Sequence, residues 1–273
     1  MSATDHALGT HRISLPDARH LALTVAGDGS PAVFLESGLG VDGSAWDDVQ
    51  QALARVTRVV RIDRAGVGAS DPAPSSPRTL ADLGADLHAL LHTPGVRDGP
   101  CVLVGHSFGG LLARWYAHRH PRDVAALVLV EAMHEDQFDR LGIRFPPPAA
   151  GDGPALAAAR AFWQERWRDP AHNAERVDLP RSLAQARAAT RVAMPLAVIS
   201  AGAFLDARLF GHEASAALQS AWLALQGELA RLGRPVEHLH LPASGHFVMR
   251  DAAQAVVAAV ARTVARLRPD DGG

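Results

Sequence analysis

The chain has 273 residues, 48% hydrophobic and 21% charged, a balance that is typical of a globular protein with ample apolar surface to bury. A formal net charge of −2 and a pI near 6.7 exclude a strong electrostatic field that would attract nucleic acid or anionic membranes. We therefore expect a small, weakly charged substrate. Apart from histidine, every basic residue is arginine, which excludes lysine chemistry. The single cysteine, Cys101, excludes an internal disulfide and a cysteine-rich metal site.

Location is suggested by what the sequence does not contain. Residues 1–20 show no basic head followed by an apolar run, and no stretch of about 18 apolar residues follows later. A chain with one cysteine suits a reducing compartment. We therefore expect a cytoplasmic protein that neither spans nor binds a membrane.

Strand and helix patterns alternate through the first half of the chain. The predicted strands are two within 10–25 around a Pro-Asp turn, then 31–36, 58–62, 101–106 and 124–130. The predicted helices run from an N-cap at Ser44 to about Leu53, from Thr79 to about Leu91, and from Gly109 to the residue before Pro121.

The alternation stops between residues 133 and 191, which are rich in Pro, Ala, Trp and Arg. A stiff proline segment is followed there by a predicted helix with Phe162, Trp163 and Trp167, and by a second helix near 183–190. Strands at 195–200 and 236–241 and helices at 213–232 and after Arg250 then resume the earlier pattern.

Strands that are apolar throughout and separated by helices indicate the α/β class, with a mostly parallel, doubly wound sheet of about eight strands. Residues 1–132 and 192–273 form the predicted core domain, and 133–191 form a helical lid insertion. Ligands of such sheets bind at the carboxyl ends of the strands. Three strand ends therefore matter most, those at Gly38, Ser107 and His246.

The motif Gly105-His106-Ser107-Phe108-Gly109 is G-x-S-x-G, and it lies between a strand and a helix. This turn exposes the serine, and the helix N-terminus beneath it favours a developing oxyanion. Ser107 is the predicted nucleophile. The plainer alternative is an ordinary glycine-rich turn.

A serine hydroxyl needs a base, and His246 in Ser244-Gly245-His246-Phe247 follows the last strand, where the fold would bring it over Ser107. The side chain of His106 should point away from the turn, so we interpret it as a pocket residue. His238 and His240 alternate on a strand and could face a metal, but without a third ligand we interpret them as solvated.

Several segments resemble α/β-hydrolase-fold esterases and related enzymes. They are GHSFGGLLARWYAHRHPRDVAALVLVEA, FLESGLGVDGSAWDDV for the oxyanion loop, RIDRAGVGASD for the D-x-x-G-x-G-x-S segment, and SGHFVMRDAAQAV around the histidine. The resemblance covers most of the chain except the lid. One departure is Ser37-Gly38, where that family often has His-Gly.

The resemblance permits the acid that orients the histidine after either of two strands. Glu131 ends the strand 124–130, and Asp206 follows the strand 195–200. We favour Glu131, because the surroundings of Asp206 match the family pattern poorly; Asp136 is a third, weaker candidate. A solvated loop carboxylate is the alternative for each.

The resemblance also implies backbone N–H donors for an oxyanion, from Phe108 and Leu39. Gly38, His106, Trp46 and Trp163 are the predicted pocket residues, although Trp46 could equally anchor a helix. Asp63, Arg64 and Asp71 are expected to hold the loop after 58–62 together.

These residues predict a hydrolase that cleaves a small to medium, largely apolar carboxylic ester or lactone through an acyl-enzyme, with no cofactor or metal. The same groups could serve thioester, amide or carbon–carbon cleavage, peracid formation or cyanohydrin lysis. Dehalogenase and epoxide-hydrolase chemistry needs an aspartate at position 107. A non-catalytic ligand-binding protein and an editing hydrolase of a carrier-protein pathway remain as alternatives.

Overall fold

Eight strands form one sheet in this computed structural model, which describes residues 9–205 and 211–268. The strands are β1 (Gly9–Ser14), β2 (His20–Ala26), β3 (Val33–Glu36), β4 (Val59–Asp63), β5 (Cys101–His106), β6 (Val124–Val130), β7 (Pro195–Ala203) and β8 (Arg234–Gly245). Their order across the sheet is β1-β2-β4-β3-β5-β6-β7-β8. Strand β2 runs antiparallel to both of its neighbours, and all other pairs are parallel. The predicted α/β class and mostly parallel sheet are confirmed.

Helices connect the strands. They are α1 (Asp47–Leu53), α2 (Leu80–Leu91), α3 (Phe108–Arg119), α4 (Gln137–Gly142), α5 (Pro154–Gln164), α6 (Leu179–Arg187), α7 (His212–Leu229), α8 (Val248–Asp251) and α9 (Ala253–Leu267). Short 3₁₀ turns occupy Gly43–Trp46, Arg166–Arg168 and Pro170–His172. The segment between β6 and β7 contains α4 to α6 and no strand of the sheet. In the described ranges, no helix combines the length and apolar character that crossing a membrane requires.

Two local details differ from the sequence prediction. The first turn before α1 is capped by Asp42 rather than Ser44, because the Asp42 carboxylate accepts the Ser44 N–H at 2.8 Å. Trp167 lies in a 3₁₀ turn, since α5 already ends at Gln164. Thr79 does cap α2, in a reciprocal capping box with Asp82.

The core lies on both faces of the sheet because successive side chains of a strand point to opposite sides. Phe34 and Leu103 pack with α2 and α3 on one face. Val33 and Val102 pack with α1 and α9 on the other face. Each fully buried side chain of this kind contributes roughly 1.5–3 kcal/mol. The well-packed central strands therefore hold the residues at their ends in fixed positions.

The carboxyl ends of β3, β5, β6 and β8 meet at one edge of the sheet, because these strands are parallel. Ser37, Ser107, Glu131 and His246 each directly follow one of these ends. This edge is the place where the sheet can assemble groups from distant parts of the chain.

Helix α3 approaches the sheet closely at the turn after β5. A Cβ added to Gly105 would lie 2.5 Å from the carbonyl oxygen of Gly109. A Cβ added to Gly109 would lie 2.5 Å from the carbonyl oxygens of Glu36 and Ser37. Both are backbone contacts that no side-chain rotation relieves, so these glycines are required by packing.

We expect Gly109→Ala to lower the free energy of unfolding by about 3 kcal/mol, because the added methyl group overpacks the contact with β3. Gly227→Ala in α7 is the matched control, since its new Cβ would lie in nearly open space. That change should stabilise the protein by about 0.5–1 kcal/mol through helix propensity. Thermal unfolding of both variants measures the contrast. Equal melting temperatures would contradict the packing argument.

Candidate active site

Ser107 has a strained backbone at the turn between β5 and α3, with φ 51° and ψ −120°. Its N–H donates to the carbonyl of Val130 at 3.1 Å, and its carbonyl accepts the N–H groups of Gly110 at 3.0 Å and Met133 at 2.9 Å. Such a conformation costs about 1–3 kcal/mol and persists only where neighbouring contacts impose it. The half-buried side chain lines a cavity at the carboxyl edge of the sheet.

His246 contacts a fully buried carboxylate. Its Nδ1 lies 3.3 Å from Oε2 of Glu131. Glu131 also accepts the indole N–H of Trp222 at 2.9 Å and the backbone N–H of Ala201 at 2.7 Å. Because an ionised carboxylate only accepts hydrogen bonds, the proton on neutral His246 sits on Nδ1. The lone pair is then on Nε2.

Of the two candidate acids within the described residues, Glu131 and Asp136, the structure brings Glu131 to His246. Glu131 has φ 48°, an unusual value for a residue other than glycine, so the chain turns sharply as it leaves β6. Asp136 pairs with Arg187 at 2.9 Å near the surface. Asp206 lies outside the described residues.

The predicted oxyanion loop, Gly38 to Gly40, passes directly against the serine turn. A Cβ added to Gly38 would lie 3.4 Å from Cβ of Ser107. Leu39 lines the same cavity as Ser107 and His246. Phe108 is the first residue of α3, where N–H groups have no partner within the helix.

The cavity beside Ser107 has a volume of about 440 Å³. Aromatic and aliphatic side chains form most of its wall, and α4 and α5 contribute part of it. The lining residues that carry these side chains are Leu39, Val41, Met133, Phe138, Phe162, Trp163, Phe204, Leu205, Trp222 and Phe247. A second hollow of about 650 Å³ near Pro121 and Gly233, at the amino ends of β7 and β8, brings no serine next to a histidine.

The prediction that Trp46 lines the pocket is wrong. It is fully buried and packs in the core with Val49 and Leu53, and it does not line the cavity. Trp46 is the last residue of the 3₁₀ turn before α1, and its indole packs edge-on against the His106 ring, with 6.5 Å between the ring centroids. Gly38, His106 and Trp163 do line the cavity.

His106 is a buried, neutral histidine. Its Nε2 donates to the carbonyl of His246 at 2.9 Å, which ties the turn after β5 to the turn after β8. Burial, and next the proximity of His246, hold the pKa of His106 well below the usual histidine value. Its role in the structure is to support the backbone of His246.

Two buried glutamates went unnoticed in the sequence. Glu36 and Glu175 both bind Arg64, which in turn binds the carbonyls of Ser37 and Gly38. Arg64 was expected to hold its own loop together, and the structure shows that it binds the backbone of the predicted oxyanion loop at Ser37 and Gly38. Burial of Arg64 at 5% exposure is the feature that a sequence pattern could not reveal.

Elsewhere, His88, His92 and Asp123 place their ligand atoms within 4.8 Å of one another. Arg97 donates to Asp123 at 2.7 Å and lies 3.0 Å from Nε2 of His92, so a guanidinium already supplies positive charge there. On β8, Nε2 of His238 lies 2.8 Å from the hydroxyl of Ser200.

The family described as alpha/beta hydrolase fold matches residues 31–192, which is more than half of the chain. The chain belongs to this family. Among curated proteins, the putative carbamate hydrolase RutD of Cronobacter turicensis is 38% identical over 104 residues, covering 37% of this chain and 38% of that protein. The probable transporter efuK of Hormonema carpetanum is 33% identical over 146 residues, covering 51% of this chain and 20% of that protein. The chain thus spans well under half the length of these relatives.

Solved structures extend the likeness over nearly the whole chain. A hydrolase from Pseudomonas aeruginosa PA01 has a TM-score of 0.63 at 25% identity, covering 93% of this chain and 98% of that one. Epoxide hydrolase VrEH1 from Vigna radiata has a TM-score of 0.67 at 16% identity, covering 95% and 98%. The second of these likenesses shows the fold alone.

The lowered pKa of His106 predicts a pH effect on stability. Between the usual pKa near 6.5 and the lowered one, the unfolded chain binds more protons at this site, so stability falls as the pH falls. The His106→Phe variant lacks this pH-dependent contribution to stability. The melting temperature of wild type minus that of the variant should therefore shrink from pH 7.5 to pH 5. A gap that stays constant or widens in acid would contradict a neutral, buried His106.

Proposed function

We propose that this protein is a serine hydrolase that cleaves a small to medium, largely apolar carboxylic ester or lactone through an acyl-enzyme. The observation that carries the proposal is the contact between Glu131 and His246 at the cavity that Ser107 lines. A nucleophile, a base with its lone pair available and a carboxylate that orients the base are the groups that acyl transfer requires.

In the proposed first half-reaction, Nε2 of His246 takes the proton of Ser107 as its Oγ attacks the substrate carbonyl carbon. The carbonyl oxygen becomes an oxyanion, which the N–H groups of Leu39 and Phe108 stabilise. Collapse of this tetrahedral intermediate breaks the bond to the alcohol, and His246 returns the proton to the leaving oxygen. Ser107 then carries the acyl group.

In the second half-reaction, His246 takes a proton from water, whose oxygen attacks the acyl carbon. The same N–H groups stabilise the negative charge, and collapse breaks the bond to Oγ, releases the carboxylic acid and lets His246 return its proton to Oγ of Ser107. Glu131 stays ionised throughout and stabilises the positive imidazolium that forms twice. Three donors, from His246, Trp222 and Ala201, satisfy its buried charge.

The wall of the cavity supports an apolar substrate, because aromatic and aliphatic side chains form most of it and, among the residues that the structure describes, no arginine, aspartate or glutamate lines it. We propose that the segment 133–191 acts as the lid, since Phe138, Phe162 and Trp163 supply part of this wall. Ser107 stands where epoxide hydrolases need an aspartate, which argues against that chemistry. A carbamate presents the same carbonyl to Ser107, and the likeness to a carbamate hydrolase makes it the second substrate class to test.

The decisive test is hydrolysis of p-nitrophenyl esters from acetate to decanoate, and of a p-nitrophenyl carbamate. Ser107→Ala and His246→Ala should each lower kcat about 10⁴-fold or more, and Glu131→Gln by about 10³–10⁴-fold, because the groups act as a unit. Asp136→Asn is the matched carboxylate control and should retain full activity. Wild type that neither turns over these substrates nor labels with a fluorophosphonate at Ser107 would remove the proposal. Loss of activity in Asp206→Asn instead of Glu131→Gln would reassign the acid.

The wall residue Trp163 should limit acyl-chain length. Trp163→Ala widens the cavity, so we expect kcat/KM for decanoate relative to butyrate to rise by about tenfold, equivalent to one or two methylenes newly buried. Ile143→Ala, at an exposed position of the same segment, is the control and should leave the ratio unchanged. An unchanged ratio in Trp163→Ala would place the acyl chain elsewhere.

A further inference from the structure

Three charged side chains form a closed group behind the oxyanion loop. Arg64 is 5% exposed, Glu36 is 1% exposed and Glu175 is fully buried. Nε and one terminal nitrogen of Arg64 bind the two oxygens of Glu175 at 2.7 and 2.8 Å, and the other terminal nitrogen binds Glu36 at 2.9 Å. A buried group of this kind is costly to desolvate and seldom adds net stability, so stability alone does not explain its presence.

The guanidinium also binds two backbone carbonyls of the loop. One terminal nitrogen donates to the carbonyl of Ser37 and the other to that of Gly38, each at 2.8 Å. The planar fork of arginine makes these contacts simultaneously with those to the carboxylates, which an ammonium group could not do.

The contact with Gly38 has a direct consequence for Leu39. The carbonyl of Gly38 and the N–H of Leu39 belong to one peptide plane, and in a trans peptide they point in opposite directions. Arg64 holds the carbonyl on the buried side and is not part of the cavity wall, whereas Leu39 is. The Leu39 N–H is thereby turned away from the guanidinium.

The next peptide is held by Glu175. Its Oε1 accepts the N–H of Gly40 at 2.7 Å, so the loop is fixed on both sides of Leu39. The guanidinium carbon of Arg64 also lies 5.5 Å from the ring centroid of Phe108, the residue of the other proposed oxyanion donor. One side chain thus contacts both strand-end turns that would stabilise the oxyanion.

We propose that Arg64, held by Glu36 and by Glu175 from the segment between β6 and β7, is the positioning residue that orients the Leu39 N–H for the oxyanion. This inference rests on the proposed serine hydrolase function. It adds that the segment 133–191 not only covers the cavity but also supplies Glu175, which supports the oxyanion loop on the side away from the cavity.

Charge balance within the group fits this role. Burial opposes the charged form of Arg64, but the charges and hydrogen bonds of Glu175 and Glu36 outweigh it and raise its pKa above the usual value. Burial raises the pKa of Glu36, and the Arg64 guanidinium only partly offsets this. Arg64 is therefore charged, as arginine side chains in proteins are, and the loop contacts do not depend on titration of the arginine.

The test compares Arg64→Lys and Glu175→Gln with Arg114→Lys and Glu135→Gln, which alter another ion pair, at 2.6 Å, between a buried arginine and a partly buried glutamate that do not contact the loop. In ester hydrolysis we expect kcat to fall about 100-fold for Arg64→Lys and about 10-fold for Glu175→Gln, with KM within twofold. Binding of a trifluoromethyl ketone, which places an oxyanion on the loop, should weaken in parallel. The two control variants should match wild type.

A second readout does not require turnover. In ¹⁵N-labelled protein, Glu175→Gln should shift the Leu39 amide resonance and speed exchange of the Gly40 N–H by about tenfold or more, and it also serves if Arg64→Lys fails to fold. A folded Glu175→Gln variant with unchanged kcat and unchanged loop amides overturns the inference. Equal losses in all four variants would reduce the group to a structural ion pair. If wild type lacks hydrolytic activity but its loop amides respond as stated, the proposed function fails while the positioning stands.

Discussion

The close approach of α3 to β3 and β5 is the constraint on which the carboxyl edge of the sheet depends. Gly105 and Gly109 let backbone atoms meet where any side chain would collide. Ser107 lies between these two glycines, has a positive φ and immediately precedes the N-terminus of α3. The strain at one residue is imposed by the well-packed core on both faces of the sheet, which can absorb about 1–3 kcal/mol without rearranging.

Two buried carboxylates at this edge are stabilised in different ways. Glu131 faces neutral donors and one histidine, so its charge is available to respond when that histidine gains a proton. Glu175 faces a permanent guanidinium, and its charge is neutralised at all times. The first arrangement suits a carboxylate that would stabilise a protonated histidine, and the second suits a carboxylate that holds a loop in place.

Most of the sheet and the serine turn could be predicted from the sequence, because the sequence patterns that indicate them are local. The apolar runs of β3, β5 and β6, the glycines around Ser107 and the capping box at Thr79 are each contained in a few consecutive residues. The orientation of Trp46 could not be predicted, since a tryptophan in a 3₁₀ turn can face either the core or the cavity. The pairing of Arg64 with Glu175 joins residues 111 positions apart, and no periodicity reports such a contact.

The choice between Glu131 and Asp206 shows the same limit. The sequence placed both after strands and favoured Glu131, but it did not predict the positive φ of Glu131 at the end of β6. A glutamate gives no sequence signal for such a backbone conformation, whereas a glycine at this position would indicate one.

The anchoring of Gly40 by Glu175 bears on how this protein could change over evolution or in the laboratory. Segments inserted between strands are often treated as exchangeable modules that alter specificity and leave chemistry intact. Here such an exchange would remove a carboxylate from the support of the loop and leave Arg64 buried with one partner fewer. A transplanted segment would have to bring its own acidic residue to that position, so diversification of the cavity wall and preservation of the loop are coupled in this chain.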